Sequence, residues 1–464
     1  MTPISSFLRF AHLPQSRVEM TQNANNKTPE QLEGHHMKLK KLTLAAALIA
    51  SSLASSVTFA KDDDTIKVGV LHSLTGTMAI SETTLKDTVL MMVDEQNKKG
   101  GLLGKKIEAV VVDPASNWPL FAEKARELLV QEEVDVIFGG WTSVSRKSVL
   151  PVVEELNGMM FYPVQYEGEE SSKNVFYTGA APNQQAIPAV DYLMNDIGAE
   201  RWVLLGTDYV YPRTTNKILE AYLKANGVED KDIMIQYTPF GHSDWQNIVS
   251  DVKKFGSTGK KTAVVSTING DANVPFYKEL GNQDISAEDI PVVAFSVGEE
   301  ELSGFDTSPL VGHLAAWNYF QSIYTDENDA FIAKWKAFIG DEDRVTNDPM
   351  EATYIGFNMW AKAVEQTGTT DVDTVSDALI GMATPNLTGG IAVMNPNHHL
   401  SKPVFIGEIQ DDGQVEVVWE TPGTVRGDAW SDYLETSKNL MSDWSAPMNC
   451  GSYDVVKGAC TGAK

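Results

Sequence analysis

The sequence predicts an α/β protein of two halves, each built on a parallel β-sheet that is flanked by helices. From Ile66 onward, short runs rich in β-branched residues alternate with stretches that show the apolar spacing of amphipathic helices. The same alternation begins again near Arg201, and no low-complexity linker separates the two series. Repeated strand and helix units of this kind favour a parallel sheet that is covered on both faces.

The first series contains four strand candidates with helix candidates between them. The strands are predicted at 66–71, 106–113, 134–140 and 158–163, and the helices at 82–100, 119–133 and 143–158. Glycine-containing sequences such as KKGG and NG follow the helix candidates, and these are typical signals for a helix end.

The second series and the last third of the chain continue this pattern. The second series predicts strands at 201–208, 233–240, 261–267 and 290–297, with helices at 214–227, 244–256 and 273–283. The last third predicts helices at 326–339, 349–367 and 371–381. It ends in a predicted hairpin at 403–420, because two strand-like runs flank the turn sequence DDGQ.

The first 60 residues have the features of a leader followed by a secretory signal peptide. Residues 37–60 combine three early lysines, an apolar run and small residues before Lys61. A membrane helix is the alternative, but the run is rich in serine and is followed by the acidic sequence KDDD. Residues 1–36 precede this complete signal, and we interpret them as a non-native extension of the gene model. We therefore expect export to the periplasm without direct membrane insertion.

Charge and cysteine content exclude some partners and indicate an oxidising compartment. The formal net charge is -26, from 37 Lys and Arg against 63 Asp and Glu. Such an acidic surface repels polyanions, which argues against nucleic acid and anionic membranes as partners. The two cysteines, Cys450 and Cys460, are ten residues apart, and after export they are expected to form a local disulfide near the C-terminus.

The sequence GGWTSVSRK at 139–147 does not match a phosphate-binding or nucleophile motif. It fits neither G-x-x-x-x-G-K-[ST] nor G-x-G-x-x-G, and neither G-x-S-x-G nor S-x-x-K occurs around Ser143 or Ser145. His398 and His399 are adjacent, so they do not share a helix face for a metal, and we interpret them as solvated loop residues. We expect no catalytic residue, no cofactor and no metal site.

Polar and aromatic residues collect in the loops that follow five of the predicted strands. Ligands of open parallel sheets bind at these carboxyl ends, so a ligand between the two halves would contact all five loops. The residues expected to contact it include Trp141, Thr142, Ser143, Tyr162, Gln165, Glu167, Asp208, Tyr209, Asn269 and Asp271.

This set of residues is rich in hydrogen-bond acceptors and poor in fixed positive charge. It therefore favours a small, neutral N–H donor over a carboxylate as ligand. Arg146 and Lys147 lie one turn inside a predicted helix, where we expect them to face solvent or to clamp an acidic loop, outside the site.

The loops belong to seven motifs that occur in order along the chain. They are HSLTGTMAISE (72–82), DPASNWPLFAEKA (113–125), GGWTSVSRKSVLPV (139–152), YPVQYEGEE (162–170), GTDYVYPRTTN (206–216), STINGDAN (266–273) and FSVGEEEL (295–302). Together they resemble the type I periplasmic solute-binding proteins. The resemblance is strongest to the branch that serves amides and urea, which includes the urea-binding components of urea ABC transporters.

The resemblance implies two α/β lobes, joined by three crossings, that close over a ligand without catalysis. Lobe 1 would comprise 61–185 and 320–385, and lobe 2 would comprise 186–319 and 386–464. It implies that Glu299 lies beside the cleft residues named above. It further implies urea or a short amide as ligand and a membrane ABC permease as partner. The alternatives are a binding protein or sensor for short-chain amides or branched amino acids, and an exported amidohydrolase.

Overall fold

The computed structural model describes residues 65–303 and 306–461. The predicted leader at 1–36 and the predicted signal peptide at 37–60 lie outside these ranges.

The described ranges contain strands and helices that alternate in the first two thirds of the chain. The strands are β1 (Thr65–Leu71), β2 (Lys106–Val112), β3 (Val136–Gly139), β4 (Met160–Tyr162), β5 (Val175–Tyr177), β6 (Arg201–Thr207), β7 (Ile233–Thr238), β8 (Thr262–Thr267), β9 (Val292–Ala294), β10 (Leu314–Trp317), β11 (Ala383–Pro385), β12 (Ile391–Met394), β13 (Leu400–Lys402), β14 (Phe405–Ile409), β15 (Val415–Glu420), β16 (Val425–Arg426), β17 (Leu440–Asp443), β18 (Cys450–Asp454) and β19 (Ala459–Cys460). The α-helices are α1 (Ala79–Lys98), α2 (Trp118–Arg126), α3 (Ser143–Glu155), α4 (Ala186–Asn195), α5 (Val210–Ala225), α6 (Gln246–Gly256), α7 (Asn273–Asn282), α8 (Glu299–Leu302), α9 (Asp326–Ile339), α10 (Asp348–Thr367) and α11 (Val372–Leu379).

Two large sheets confirm the predicted α/β fold of two lobes. The first sheet has the order β2-β1-β3-β4-β5, and all its strands are parallel. The second has the order β15-β14-β10-β9-β8-β6-β7. Its strands from β7 to β10 are parallel, whereas β14 and β15 add an antiparallel hairpin at the edge, as the DDGQ turn predicted.

Several short strands were not predicted from the sequence. β5 and β10 have three and four residues, too few for a clear periodic pattern. A small antiparallel sheet, β11-β12-β13-β16, and a C-terminal sheet, β17-β18-β19, were also missed. In the C-terminal sheet Cys450 of β18 and Cys460 of β19 form a disulfide.

The small antiparallel sheet packs on the first lobe, although 386–402 was assigned to lobe 2 from the sequence. Ala392, Met394 and Leu400 belong to the same apolar core as β1, β3 and β4. They pack there because β12 and β13 turn alternate side chains toward that core. The chain therefore leaves the first lobe for β14 only after Lys402.

The crossings between the lobes meet at Asn318, which follows β10. Its Nδ2 donates to the carbonyl oxygen of Gln184 at 3.1 Å and to that of Pro403 at 2.7 Å. Gln184 lies between β5 and β6, and Pro403 between β13 and β14, so one amide joins the three predicted crossings. After β15 the chain returns once more, to β16 of the small sheet.

Gly139 ends β3 where the first lobe's strands meet the loops. Its φ is +152°, and a Cβ at this position would lie 2.1 Å from the carbonyl oxygen of Leu71 on β1. We expect Gly139→Ala to lower the free energy of unfolding by about 2 kcal/mol, because backbone in a sheet cannot move away cheaply. Guanidinium chloride unfolding followed by circular dichroism measures this loss.

Gly259→Ala is the matched control for that clash. Gly259 also has a positive φ, +83°, but a Cβ there would have no described atom within 4 Å. Gly259→Ala therefore has the conformational cost of an alanine at positive φ, but it makes no close contact of the kind that Gly139→Ala would make with Leu71. Equal losses of stability in the two variants would contradict the proposed role of the Gly139 contact with Leu71.

Candidate ligand-binding cleft

The end of β3 brings Trp141 against the second lobe. Gly139 and Gly140, with φ of +152° and +87°, let the backbone turn sharply out of the sheet. The indole N–H of Trp141 then points at Asn269 Oδ1, which follows β8, at 3.5 Å. Both side chains are buried, so this polar contact lies at the interface between the lobes.

The first turn of α3 presents two hydroxyl groups. Thr142 precedes the helix, and its buried Oγ1 neither caps the helix nor finds any partner among the described residues. Ser143 Oγ donates to Glu167 Oε2. Burial raises the pKa of Tyr209, and the Thr142 hydroxyl acts in the opposite direction, which places this second-lobe phenol beside Thr142.

The loop after β4 supplies a phenol and an amide. The Tyr162 hydroxyl is buried and unpartnered within residues 65–303 and 306–461, and burial raises its pKa. Gln165 Nε2 donates across the interface to Phe295 O at 2.7 Å and Ser296 Oγ at 2.8 Å. Both amide hydrogens are therefore used, and Gln165 Oε1 is left as a buried acceptor without a described partner.

Tyr211 completes this group from the second lobe. It lies in the first turn of α5, and its buried hydroxyl also lacks a partner in the described part of the chain. Burial raises its pKa, while Ser296 and Gln165 lower it, so the hydroxyl is close to both. Thr142, Tyr162, Gln165 and Tyr211 thus collect unpaired polar atoms from both lobes in one buried place. Such groups are costly unless something binds them.

A buried charge network lies directly behind these residues and corrects the expectation for Arg146. Arg146 is fully buried, and it donates to Glu167 Oε1 at 3.0 Å, Glu170 Oε1 at 2.7 Å and Ser143 Oγ at 3.0 Å. Lys147 is partly exposed and bonds Glu170 Oε2 at 2.7 Å. Arg146 and Lys147 therefore bind the acidic loop, which is one of the two positions expected for them, the other being exposure to solvent. The expectation that Arg146 lies outside the site is wrong, because it contacts Ser143 of the cleft.

Three of the expected site residues lie apart from this group. Asp208 is exposed and pairs with Arg213 at 2.5 Å, and Asp271 is exposed in the turn Gly270–Ala272. Glu299 is buried, but its Oε1 accepts from the backbone N–H of Gln321 at 2.6 Å, near the crossings. A position after a strand brings a residue to the right edge of the sheet, but it does not determine where the side chain points.

Sequence reasoning also misplaced two histidines and did not single out Ser296 of the cleft. His398 and His399 are buried, and they stack on Phe176 and Tyr177 instead of facing solvent. Their partners are more than 200 residues away, so no local pattern signals the burial. Tyr211 lies in the loop GTDYVYPRTTN that was expected to contact the ligand, whereas Ser296 carried no signal beyond its motif FSVGEEEL, and Arg146 had been placed outside the site.

The periplasmic binding protein domain family matches residues 66–436, which include both lobes and the cleft. The chain belongs to the periplasmic binding protein family. This periplasmic binding protein is 24% identical over 388 residues to Leu/Ile/Val-binding protein homolog 6 of Brucella melitensis biotype 1, covering 81% of this chain and 95% of that protein. It is 25% identical over 345 residues to Leu/Ile/Val-binding protein BraC3 of Rhizobium johnstonii, covering 73% of this chain and 88% of that one.

Solved structures share the fold of this periplasmic binding protein. An ABC transporter solute binding protein from Rhodopseudomonas palustris HaA2, in complex with p-hydroxybenzoic acid, has a TM-score of 0.69 at 22% identity, over 78% of this chain and 97% of that chain. The leucine binding protein LivK from Thermotoga maritima has a TM-score of 0.66 at 17% identity, and the match covers 76% of this chain and 98% of that chain.

One enzyme resembles a fragment of the periplasmic binding protein. A limonene hydroxylase of Geobacillus stearothermophilus is 34% identical over 110 residues, which are 24% of this chain and 20% of the hydroxylase. The relatives aligned over most of the chain are binding proteins. Among the described residues, no helix combines the length and apolar character needed to cross a membrane.

Proposed function

We propose that this periplasmic binding protein captures urea or a short-chain amide between its lobes and delivers it to a membrane ABC permease. The observation that carries the proposal is the set of unpaired polar atoms from both lobes. Gln165 Oε1 can only accept a hydrogen bond, whereas the hydroxyls of Thr142, Tyr162 and Tyr211 can donate or accept. An amide offers both N–H donors and a carbonyl acceptor, which matches this set.

The charge balance supports a neutral ligand. The cation that contacts the cleft, Arg146, already has Glu167 and Glu170 as partners. A ligand carboxylate would therefore find hydroxyls but would lie close to the negative charge of Glu167. The relatives named for leucine, isoleucine and valine keep branched amino acids as the second candidate. The predicted signal at 37–60 and the disulfide Cys450–Cys460 support export to the periplasm.

The small size of urea limits the affinity that the cleft can reach. Urea has four heavy atoms, and a ceiling of about -1.5 kcal/mol per atom gives roughly -6 kcal/mol, a Kd on the order of tens of micromolar. Each unmatched hydrogen-bonding group costs about 1 to 3 kcal/mol. A useful affinity therefore requires partners on all sides, which the residues of a single lobe cannot supply.

Isothermal titration calorimetry with urea, formamide, acetamide and leucine tests the proposal. We expect heat with urea or a short amide and little with leucine. Tight leucine binding without any response to the amides would refute it in favour of the second candidate. Release of ammonia from urea or acetamide would instead support the amidohydrolase alternative.

We expect Tyr162→Phe to weaken amide binding about tenfold, because the ligand loses one hydrogen bond in a buried site. Tyr324→Phe is the matched control, since Tyr324 is 85% exposed. Asp271→Ala serves as a second control, because Asp271 is exposed in the structure. If Tyr162→Phe binds like the parent protein, the cleft assignment is wrong.

A further inference from the structure

Glu167 places a carboxylate of the protein itself where a ligand carboxylate would find its best partners. We infer that Glu167 is a specificity-determining residue, which excludes carboxylate ligands by permanently occupying Arg146 and Ser143. The inference deepens the proposed function and rests on it in one respect, namely that the ligand binds in this cleft.

The contacts of Glu167 show which donors it occupies. Its Oε1 accepts from Arg146 Nη2 at 3.0 Å, and its Oε2 accepts from Ser143 Oγ in the first turn of α3. A guanidinium N–H together with a hydroxyl at a helix start is a strong anion-binding pair. In this protein the carboxylate of Glu167 accepts from both members of this pair.

Glu167 also lies within electrostatic reach of the unpaired phenols. Burial is the main cause that raises the pKa values of Tyr162, Tyr209 and Tyr211, and the charge of Glu167 raises all three further. The carboxylate therefore borders the same space as the groups proposed to bind the ligand. A second carboxylate entering that space would meet a like charge at low dielectric.

Every nitrogen of the Arg146 guanidinium already has an acceptor within the chain. Its Nε, Nη1 and Nη2 each donate to a named acceptor, and its guanidinium lies 4.7 Å from the ring centres of both Tyr162 and Tyr166. With Lys147 and Glu170 the cluster holds two positive and two negative charges. Removing the charge of Glu167 alone would leave the cluster with one excess positive charge, shared by buried Arg146 and partly exposed Lys147, and an incoming carboxylate could neutralise it.

Acetamide and acetate form the sharpest test, because they differ in one NH₂ group and one charge. We expect the parent protein to prefer acetamide, and Glu167→Gln to shift the ratio of the two affinities at least about tenfold toward acetate, the range of a charge-assisted hydrogen bond. Glu170→Gln is the matched control. It makes the same charge change at the other partner of Arg146, but Glu170 does not contact Ser143, so a much smaller shift is expected.

An unchanged ratio of acetamide to acetate affinity in Glu167→Gln would overturn the inference. An equal shift of this ratio in Glu170→Gln would also overturn it, and so would equal binding of acetate and acetamide by the parent protein. Glu167→Ala gives a second measurement, the shift of the melting temperature with added acetate, which can be made even if the variant is less stable than the parent protein. It leaves a space beside Arg146, so acetate is expected to raise the melting temperature of this variant in a saturable way, but not that of Glu170→Ala.

The two proposals fail differently. If the parent protein binds neither urea nor any short amide, the proposed function fails, whereas gain of acetate binding by Glu167→Gln and Glu167→Ala would still support the role of Glu167. If neither variant gains acetate binding, the role of Glu167 is refuted whatever the parent protein binds.

Discussion

Arg146→Met is expected to lower the free energy of unfolding by about 3 to 5 kcal/mol. Removing one partner of a buried ion pair leaves the other charges without compensation, and this cost usually exceeds the net value of the pair itself. Arg146 and Glu167 are fully buried, and Glu170 is nearly so. The charges of Arg146 and Lys147 lower the pKa of Glu170 to about 2 despite its burial, so this carboxylate stays ionised at neutral pH.

Lys147→Met is the matched control, because it removes the same charge one residue further along α3. The Lys147 side chain is 37% exposed, and we expect a loss below about 1 kcal/mol. Unfolding should be measured in guanidinium chloride, since urea is the proposed ligand. Similar losses in the two variants would show that the buried network does not depend on Arg146.

The stability of the protein is expected to fall as the pH rises from 6.5 to 8. Burial raises the pKa of Glu299 to about 8 and that of Glu301 to about 7. A carboxyl group with a raised pKa binds its proton more tightly in the folded state, so its stabilising effect is lost as the pH rises from the unfolded value toward the folded one. These two groups alone should therefore lower the free energy of unfolding by roughly 2 kcal/mol between pH 6.5 and 8.

Four buried histidines oppose this trend on the acidic side. Burial lowers the pKa values of His72 and His398 to about 3 and those of His313 and His399 to about 4. The unfolded chain therefore takes up more protons on histidine below pH 6.5. Burial also raises the pKa of Glu351 to about 7 and raises that of Glu82, so at least four carboxyls oppose the four histidines, and the profile below pH 6.5 is expected to be nearly flat.

Glu301→Gln tests the contribution of one of these carboxyls to the pH profile. Glu301 accepts hydrogen bonds from Ser81 Oγ of α1 and from the backbone N–H of Gly298, and besides burial the charge of Glu300 raises its pKa. The variant should flatten the alkaline limb between pH 6 and 7.5, whereas Glu435→Gln, with an 86% exposed side chain, should not. Calorimetric melting from pH 5 to 8.5 gives both profiles. A flat parent profile above pH 6.5 would contradict the burial of these carboxyls.

The fold followed from the sequence because apolar periodicity is a local property. β1, β6 and β8, and the long helices α1 and α10, lie within a few residues of their predicted positions. The lobe on which residues 391–402 pack could not be predicted in the same way. Its short strands become part of the first core only through contacts with residues far away in the chain.

The sequence selected the loops of the candidate cleft, but it did not determine which of their side chains point into it. Trp141, Thr142 and Gln165 come from loops that the strand-end rule selects, and the structure brings these loops together. The rule does not distinguish Asp208, which pairs with Arg213 at the surface, from Glu167, which is buried against Arg146. The cation with which each carboxylate pairs decides the difference.

The interleaving of the two lobes has a consequence for synthesis on the ribosome. Phe138 of β3 packs against Trp360 of α10, and Met394 and Leu400 complete the same core. A nascent chain that has released only β1 to β5 therefore exposes the aromatic face that these later residues cover. The first lobe to be translated is among the last to close, so premature collapse of its aromatic face is a hazard throughout translation, and a holding chaperone would protect it.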